Sequence, residues 1–285
     1  MKITAFAFAK VNLFLKVLGK RNDGLHNLDM VMQSVSLADK VTATTDEAKG
    51  LTIVCDDAEI EDNIAEKAAL KYFEKAEMAI PNIKFDIEKH IPISGGLAGG
   101  SADAAAVLVL CNQIYGKLSE TELLELGGTI GSDVPFCMVG GCARVFGFGD
   151  EINAVNSKSE YTMVLVKAGQ KRSTGHMYSL IDSRDEHINA DADELVINLE
   201  NNNNAFCEHI ANDFTALWDD DISKELCDTL YKEGAAAVSL SGSGPTFFGI
   251  FFDEDKAKNC YNKLKARYND TYICFPETTG IKIVD

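Results

Sequence analysis

The sequence is short of the signals that mark a membrane, metal or nucleic-acid protein. No apolar run approaches the roughly 20 residues that cross a bilayer. The opening MKITAFAFAKVNLFLKV carries charge inside its apolar part and has no small-residue cleavage site, so no secretory leader is expected. The eight cysteines, at 55, 111, 137, 142, 207, 227, 260 and 274, contain no Cys-x-x-Cys pair, and the five histidines have no metal-ligand spacing. That excludes a zinc site and a disulfide framework as expectations and points to a reduced, cytoplasmic setting. Cations are also in deficit, with 27 Lys and Arg against 44 Asp and Glu, a net charge of −17 that argues against nucleic acid or an anionic membrane as partner. There is no internal repeat.

What is present is an ordinary globular composition, 46% hydrophobic and 25% charged over 285 residues, enough for one large domain or two of usual size. The charge is uneven. Residues 1–40 hold Lys2, Lys10, Lys16, Lys20, Arg21 and Lys40 against Asp23, Asp29 and Asp39, leaving that segment at +3, an island suited to an anionic small molecule.

Periodicity predicts strands over ITAFAFAKVNLFLKVLGK, MVMQSVSLADKVTATT, LTIVCDD and IKFDIEKHIPI. NIAEKAALKYFEKAEMA has helical spacing, with Ile64, Ala68, Leu70 and Phe73 on one face. Ser119 and Glu122 form a capping box for a short helix, and CARVFGFGDEI and YTMVLVKAG return to strand. A change of character near 150–160 suggests a domain boundary. Beyond it come a helix over STGHMYSLIDS, a polar, acidic loop through NNNN at 201–204, a helix DISKELCDTLYKEGA, a β-hairpin around Gly-Ser-Gly-Pro, a helix EDKAKNCYNKLKARY and a last strand. The pattern is α+β in two halves.

The stretch IPISGGLAGGSADAAAVLVL sets four glycines, Gly95, Gly96, Gly99 and Gly100, directly before an alanine-rich helix. Glycines let backbone N–H groups converge, and a helix N-terminus adds about half a positive charge, so strand, glycine loop and helix together make an anion site. Ser101 is the expected cap of that helix and Asp103 falls in its first turn. The loop has neither the Gly-Lys-Ser/Thr ending of a Walker loop nor the G-x-G-x-x-G spacing of a dinucleotide fold.

Pro92 to Ala105, PISGGLAGGSADAA, resembles the phosphate loop of the GHMP kinase superfamily. Four further collinear segments resemble its branch acting on 4-diphosphocytidyl-2-C-methyl-D-erythritol in the non-mevalonate isoprenoid pathway: 9–26, 61–69, 131–141 and 240–251. The resemblance implies a two-domain α+β GHMP kinase fold, an ATP-binding domain over 1–152 and a C-terminal domain over 153–285, with the active site in the cleft between them. It implies ATP and Mg2+ as cofactors, a small-molecule substrate, and phosphoryl transfer to the substrate's 2-hydroxyl. Lys10 and Asp133 match the catalytic pair: Asp133 would accept the hydroxyl proton, and Lys10 would neutralise charge on the transferred group. The nucleotide would meet Asn63, Lys89, Pro92, Ile93, Ser94, Gly95, Gly96, Leu97, Ala98, Gly99, Gly100, Ser101 and Ala102. The acceptor would meet Asn12, His26, Tyr178, Ser241, Gly242 and Gly244, with Tyr178 stacking on cytosine; the metal's ligands are left unassigned.

Four positions depart from the superfamily's usual pattern. Leu25 stands where an aromatic is usual, removing one face of the expected base stack. Ser94 and Ala98 stand where glycines are usual, and Ala102 replaces a serine, leaving Ser101 as the hydroxyl expected to meet phosphate or Mg2+. A different acceptor alcohol, or a binding protein that lost catalysis, are the alternatives these departures keep open.

Overall fold

The computed structural model describes residues 1–46, 49–56, 63–147, 149, 151–184 and 187–284. Glu61 and Asp62, in one of the matched segments, and Phe148 and Asp150, in an expected strand, lie outside the described residues.

The fold is α+β and is built on two sheets. The first sheet begins with β1 (Lys2–Lys20) and β2 (His26–Thr45), a long antiparallel pair whose register shifts at three points along β1. Ala5, Ala7, Ala9, Val11 and Leu13 lie on one face of β1 and are fully buried, and between Ala7 and Leu15 the opposite face is buried too. β3 (Leu51–Cys55) and β4 (Ile83–Glu88) run parallel to each other, and β4 pairs with the distal half of β2. The near half of β2 pairs with β5 (Cys142–Gly147), which in turn pairs with β6 (Glu151–Ala154).

Helices α1 (Ile64–Lys75), α2 (Gly99–Tyr115), α3 (Glu120–Gly128) and α4 (Val134–Val139) belong to this half. Asn63 caps α1 through a side-chain bond to the Ala65 amide, and the capping box of Ser119 and Glu122 opens α3 as expected. The buried face of α1 is Ala65, Ala68, Ala69, Tyr72 and Phe73; Leu70, expected on it, is exposed. Three alanines, Ala104 to Ala106, are fully buried in α2, so their small side chains let that helix lie close on the sheet.

The second sheet holds β7 (Thr162–Lys167), β9 (Ala237–Leu240), β10 (Thr246–Phe251) and β11 (Thr271–Cys274), in the order β11-β7-β10-β9 and antiparallel throughout. Around it lie α5 (Thr174–Ile181), α6 (Ala192–Glu200), α7 (Asp221–Lys232) and α8 (Glu254–Lys265). Helix α6, capped by Asp191, lies just before the NNNN run in a stretch read as loop; Leu195 and Leu199 bury its inner face despite the acidic surroundings.

The chain after 153 also contributes to the first sheet: β8 (Ala211–Asn212) lies parallel to β1, and β12 (Ile281–Val284) pairs along its start. The apolar core likewise spans both sheets, with Leu15, Met30 and Met32 packed in one cluster with Val164, Leu240 and Phe247. Cys111, Cys137, Cys142, Cys207, Cys227, Cys260 and Cys274 are free thiols, and among the described residues no helix is long and apolar enough to cross a membrane.

Candidate active site

A cleft of about 810 Å3 opens where β1, the glycine loop, α5 and the β9–β10 turn meet. Along one wall run Pro92 to Gly96 and Ala98 to Ser101, with Asn63, Ile64 and Lys89 beside them. Helix α2 begins at Gly99, two residues before the expected Ser101 cap. Its N-cap is Ala98, in the left-handed conformation (φ 59°, ψ 28°) and without a side-chain cap. The first bond of the helix runs from the Ala102 amide to the Ala98 carbonyl (2.9 Å), so the amides of Gly99, Gly100 and Ser101 precede the intrahelical ladder. Such amides at a helix start are suited to an anion.

Ser94 (φ 58°) and Ala98 (φ 59°), the two substitutions for glycine, both adopt positive φ. The backbone keeps its shape and carries strain on the order of 1–2 kcal/mol per residue. Gly96 has no such latitude: a Cβ there would lie 2.4 Å from the Ser241 carbonyl oxygen.

Opposite the loop, Lys10 and Asn12 share one face of β1. Lys10 is buried; its Nζ donates to Asn12 Oδ1 at 2.8 Å and lies 3.5 Å from Asp133 Oδ2, at the head of α4. The Gly242 amide also donates to Asn12 Oδ1 (3.0 Å), and Ser241 Oγ donates to the Gly96 carbonyl (2.9 Å). The backbone amide of Lys10 donates to the Leu97 carbonyl (3.1 Å). Thus the β9–β10 turn, the glycine loop and β1 are locked to one another around the Lys10–Asp133 pair.

Four expected residues do not reach the cleft wall. Leu97 and Ala102 are packed in the core, so the absent hydroxyl at 102 is not missing from the cleft. Ser241 is buried beneath Gly96, and Gly244 lies against the Trp218 ring, which a Cβ would meet at 2.8 Å.

At the far end His26, Tyr178 and Asp182 come together. His26 stacks on Tyr178 (centroids 4.5 Å, planes 17° apart), and Tyr178 meets Phe214 edge-on at 5.0 Å. His26 Nε2 lies 2.7 Å from Asp182 Oδ1, and Lys20 Nζ is 3.5 Å from the other oxygen. The bond from His26, with help from Lys20, holds the Asp182 carboxyl below its usual range. Burial moves the Tyr178 hydroxyl the other way, well above an ordinary phenol. Leu25 is exposed at the rim. The motif reading missed Asp182, although its place four residues after Tyr178 on a predicted helix puts the two on one face.

Lys89 touches the cleft, but its ammonium is held from behind by two carboxylates, Asp39 of β2 and Asp103 of α2, the latter at 2.5 Å. Asp103, expected in the first turn of the helix, lies just beyond it and is buried, and burial pushes its carboxyl up to about 7 against the pull of Lys89. Neither aspartate was legible as a partner of Lys89, because what pairs them is tertiary.

A glycine loop and a Lys–Asp pair facing one cleft are the parts of a phosphotransferase, and comparison with known proteins agrees. Residues 63–141 match the GHMP kinases N terminal domain and residues 221–270 the GHMP kinases C terminal region. A 4-diphosphocytidyl-2-C-methyl-D-erythritol kinase of Clostridium tetani is 38% identical over 96% of this chain and 99% of its own length. The chain belongs to the GHMP kinase family. A second relative of the same name, from Clostridium botulinum, is 37% identical over 94% of this chain and 97% of its own. The crystal structure of a 4-(cytidine 5'-diphospho)-2C-methyl-D-erythritol kinase superposes with a TM-score of 0.81 at 27% identity, covering 96% of this chain and 98% of that one. A homoserine kinase from Cytophaga hutchinsonii shares the GHMP fold at 18% identity (TM-score 0.76; 99% and 97% coverage).

Proposed function

We propose that this GHMP kinase transfers the γ-phosphoryl group of ATP to the 2-hydroxyl of 4-diphosphocytidyl-2-C-methyl-D-erythritol, a step in non-mevalonate isoprenoid precursor synthesis. The observation that carries the proposal is the Lys10–Asp133 pair, 3.5 Å apart, in the same cleft as the amides at the start of α2, in a chain alike end to end to kinases of that name.

Each group has a definite task. The amides of Gly99, Gly100 and Ser101 receive the triphosphate, while Asn63 and Ile64 line the wall beyond them, on the nucleoside side. Asp133 accepts the proton of the attacking hydroxyl as the new O–P bond forms and the bond to ADP breaks. Lys10, held in place by Asn12, stands against the equatorial oxygens of the group in flight. Asn12 is itself fixed by the Gly242 amide, so the second glycine turn acts by orienting it.

The donor set also fits Mg2+. The Ser101 hydroxyl and the Asp133 carboxylate both line the cleft and would hold the ion beside the phosphates. No cluster of three or more acidic, His or Cys ligands exists among the described residues, and Mg2+ in such sites takes most of its oxygens from phosphate and water. When bound, Mg2+ would neutralise charge on the transferred phosphoryl group and its leaving group.

His26, Tyr178 and Asp182 form the base end. The stack of His26 on Tyr178 leaves no slot between the rings, since a base sandwiched there needs two gaps of about 3.5 Å. Cytosine therefore lies against an outer face of this stack, or the rings part to admit it. That closed stack, together with Leu25, favours a second reading in which the acceptor is another small alcohol. Steady-state turnover with MgATP across the cytidyl substrate, homoserine, mevalonate and sugar alcohols separates the two. The cytidyl compound is expected to give the highest kcat/KM; a preference for any other acceptor overturns the first reading.

A further inference from the structure

Behind the glycine loop three ionisable side chains are buried in a row. Asp39, fully enclosed on β2, accepts the amides of His90 (2.5 Å) and Ile91 (2.8 Å) on one carboxylate oxygen and the Lys89 ammonium on the other. That ammonium reaches on to Asp103, four residues into α2. Ile91, pinned by Asp39, packs directly under Gly99, where a Cβ would meet its side chain at 3.0 Å. Asp39 thus controls both ends of the loop: its entry through residues 89–91, and the helix start through Ile91 and Lys89.

We propose that Asp39 and Lys89, with Asp103, form a buried clamp that fixes the height of the glycine loop and the α2 N-terminus, and thereby sets affinity for ATP. They are positioning residues: two of the three Lys89 N–H groups are committed to carboxylates, so Lys89 acts on the nucleotide through the loop. This rests on the reading that the loop receives the ATP phosphates. It departs from the expectation that Lys89 is itself a nucleotide ligand, and the two make opposite predictions for Asp39. If Lys89 were a direct ligand, weakening its hold on Asp39 would free it for ATP.

The test is Asp39→Asn, which keeps the shape but turns an amide N–H toward the Lys89 ammonium, donor against donor. Calorimetric Kd for MgATP and KM for ATP should rise at least tenfold while KM for the acceptor stays within twofold. Combining it with Lys89→Gln restores an acceptor opposite the new amide and should bring the Kd for MgATP back to within about threefold of wild type. In nucleotide-free protein, amide exchange over residues 91–99 should quicken in the single variant and slow again in the double. That readout holds whether or not the kinase reading does, whereas wild-type protein that fails to bind MgATP counts against the kinase reading alone. Unchanged or tighter MgATP binding by Asp39→Asn, KM values for both substrates rising together, or loop exchange that does not change would overturn the clamp. Should Asp39→Asn not fold, Lys89→Gln alone is expected to show the same faster loop exchange and selective rise in KM for ATP, and wild-type exchange in that variant would equally overturn it.

Discussion

Gly100→Ala separates a glycine needed by the fold from one needed by the ligand. Gly100 is the second residue of α2, where alanine is the better helix former by roughly 0.5–1 kcal/mol. Nothing in the protein resists the added methyl: its nearest neighbours would be Ile64 Cδ1 at 3.7 Å and Cγ1 at 3.8 Å, ordinary van der Waals contact. Urea unfolding should therefore show a gain of about 0.5 kcal/mol or more. The same methyl, however, stands on the cleft wall between Ile64 and the amides proposed to receive the phosphates. A displacement of ATP on the order of 1 Å is enough to cost tenfold or more, equal to about 1.4 kcal/mol. Stability and KM for ATP should thus both rise. The decisive assay is steady-state kinetics with ATP varied at saturating acceptor. A KM for ATP within twofold of wild type, in a variant of raised stability, would refute the placement of the nucleotide over this helix start.

Gly96→Ala should do the opposite to the fold. Its methyl would strike the Ser241 carbonyl at 2.4 Å in a backbone of φ +80°, part the two glycine turns and break the Ser241–Gly96 and Gly242–Asn12 bonds. The left-handed penalty and two lost bonds come to about 3 kcal/mol; a loss below about 1 kcal/mol on urea unfolding would contradict the interlock. Asp133→Asn should fold as wild type by circular dichroism and lower kcat by about 100-fold or more, as removal of a general base does; unchanged turnover would remove Asp133 from that role. Asp103→Asn should flatten a pH dependence. The Asp103 carboxyl is raised in the folded protein from 3.8 to about 7, so its contribution is full below about pH 4 and is lost as pH climbs through 7. Urea midpoints at pH 5 and pH 8 should fall with pH more steeply in wild type than in Asp103→Asn, and parallel curves would disprove the assignment.

Local signals were the ones the sequence conveyed. The strand at β1, the capping box at Ser119 and the strand–glycine–helix order each depend on neighbours within a few residues, and each appears in the structure. Ser94 and Ala98 adopt left-handed backbone, because the residues replacing glycine still have to follow the loop's path. Illegible were the features decided by partners far along the chain. Ser101 reads as a cap, yet the helix starts at Gly99 because Ala98 already turns the chain. Leu97 and Ala102 sit among cleft residues in sequence but face the core, since a loop wrapped against a sheet cannot present every side chain outward. Leu70 satisfies helical spacing on paper and lies outside the face that α2 covers.

The charge of the N-terminal segment shows most clearly what pairing does to a sequence reading. An excess of cations over residues 1–40 suggested a ready attraction for ATP, but four of them already face carboxylates: Lys10 with Asp133, Lys20 with Asp182, Arg21 with Asp23 and Lys40 with Glu88. Lys89 is held by two. Of the lysines lining the cleft, Lys171 alone has no ion-pair partner among the described residues. In a chain of net charge −17, attraction for a triphosphate cannot then come chiefly from free side-chain cations. On the proposed reading it falls to fixed backbone dipoles at the head of α2, which need no counter-charge and keep their orientation, and to Mg2+ bound with the nucleotide. A site of that kind depends on where its amides stand more than on how many lysines surround it, so its affinity is set by whatever holds the loop in place.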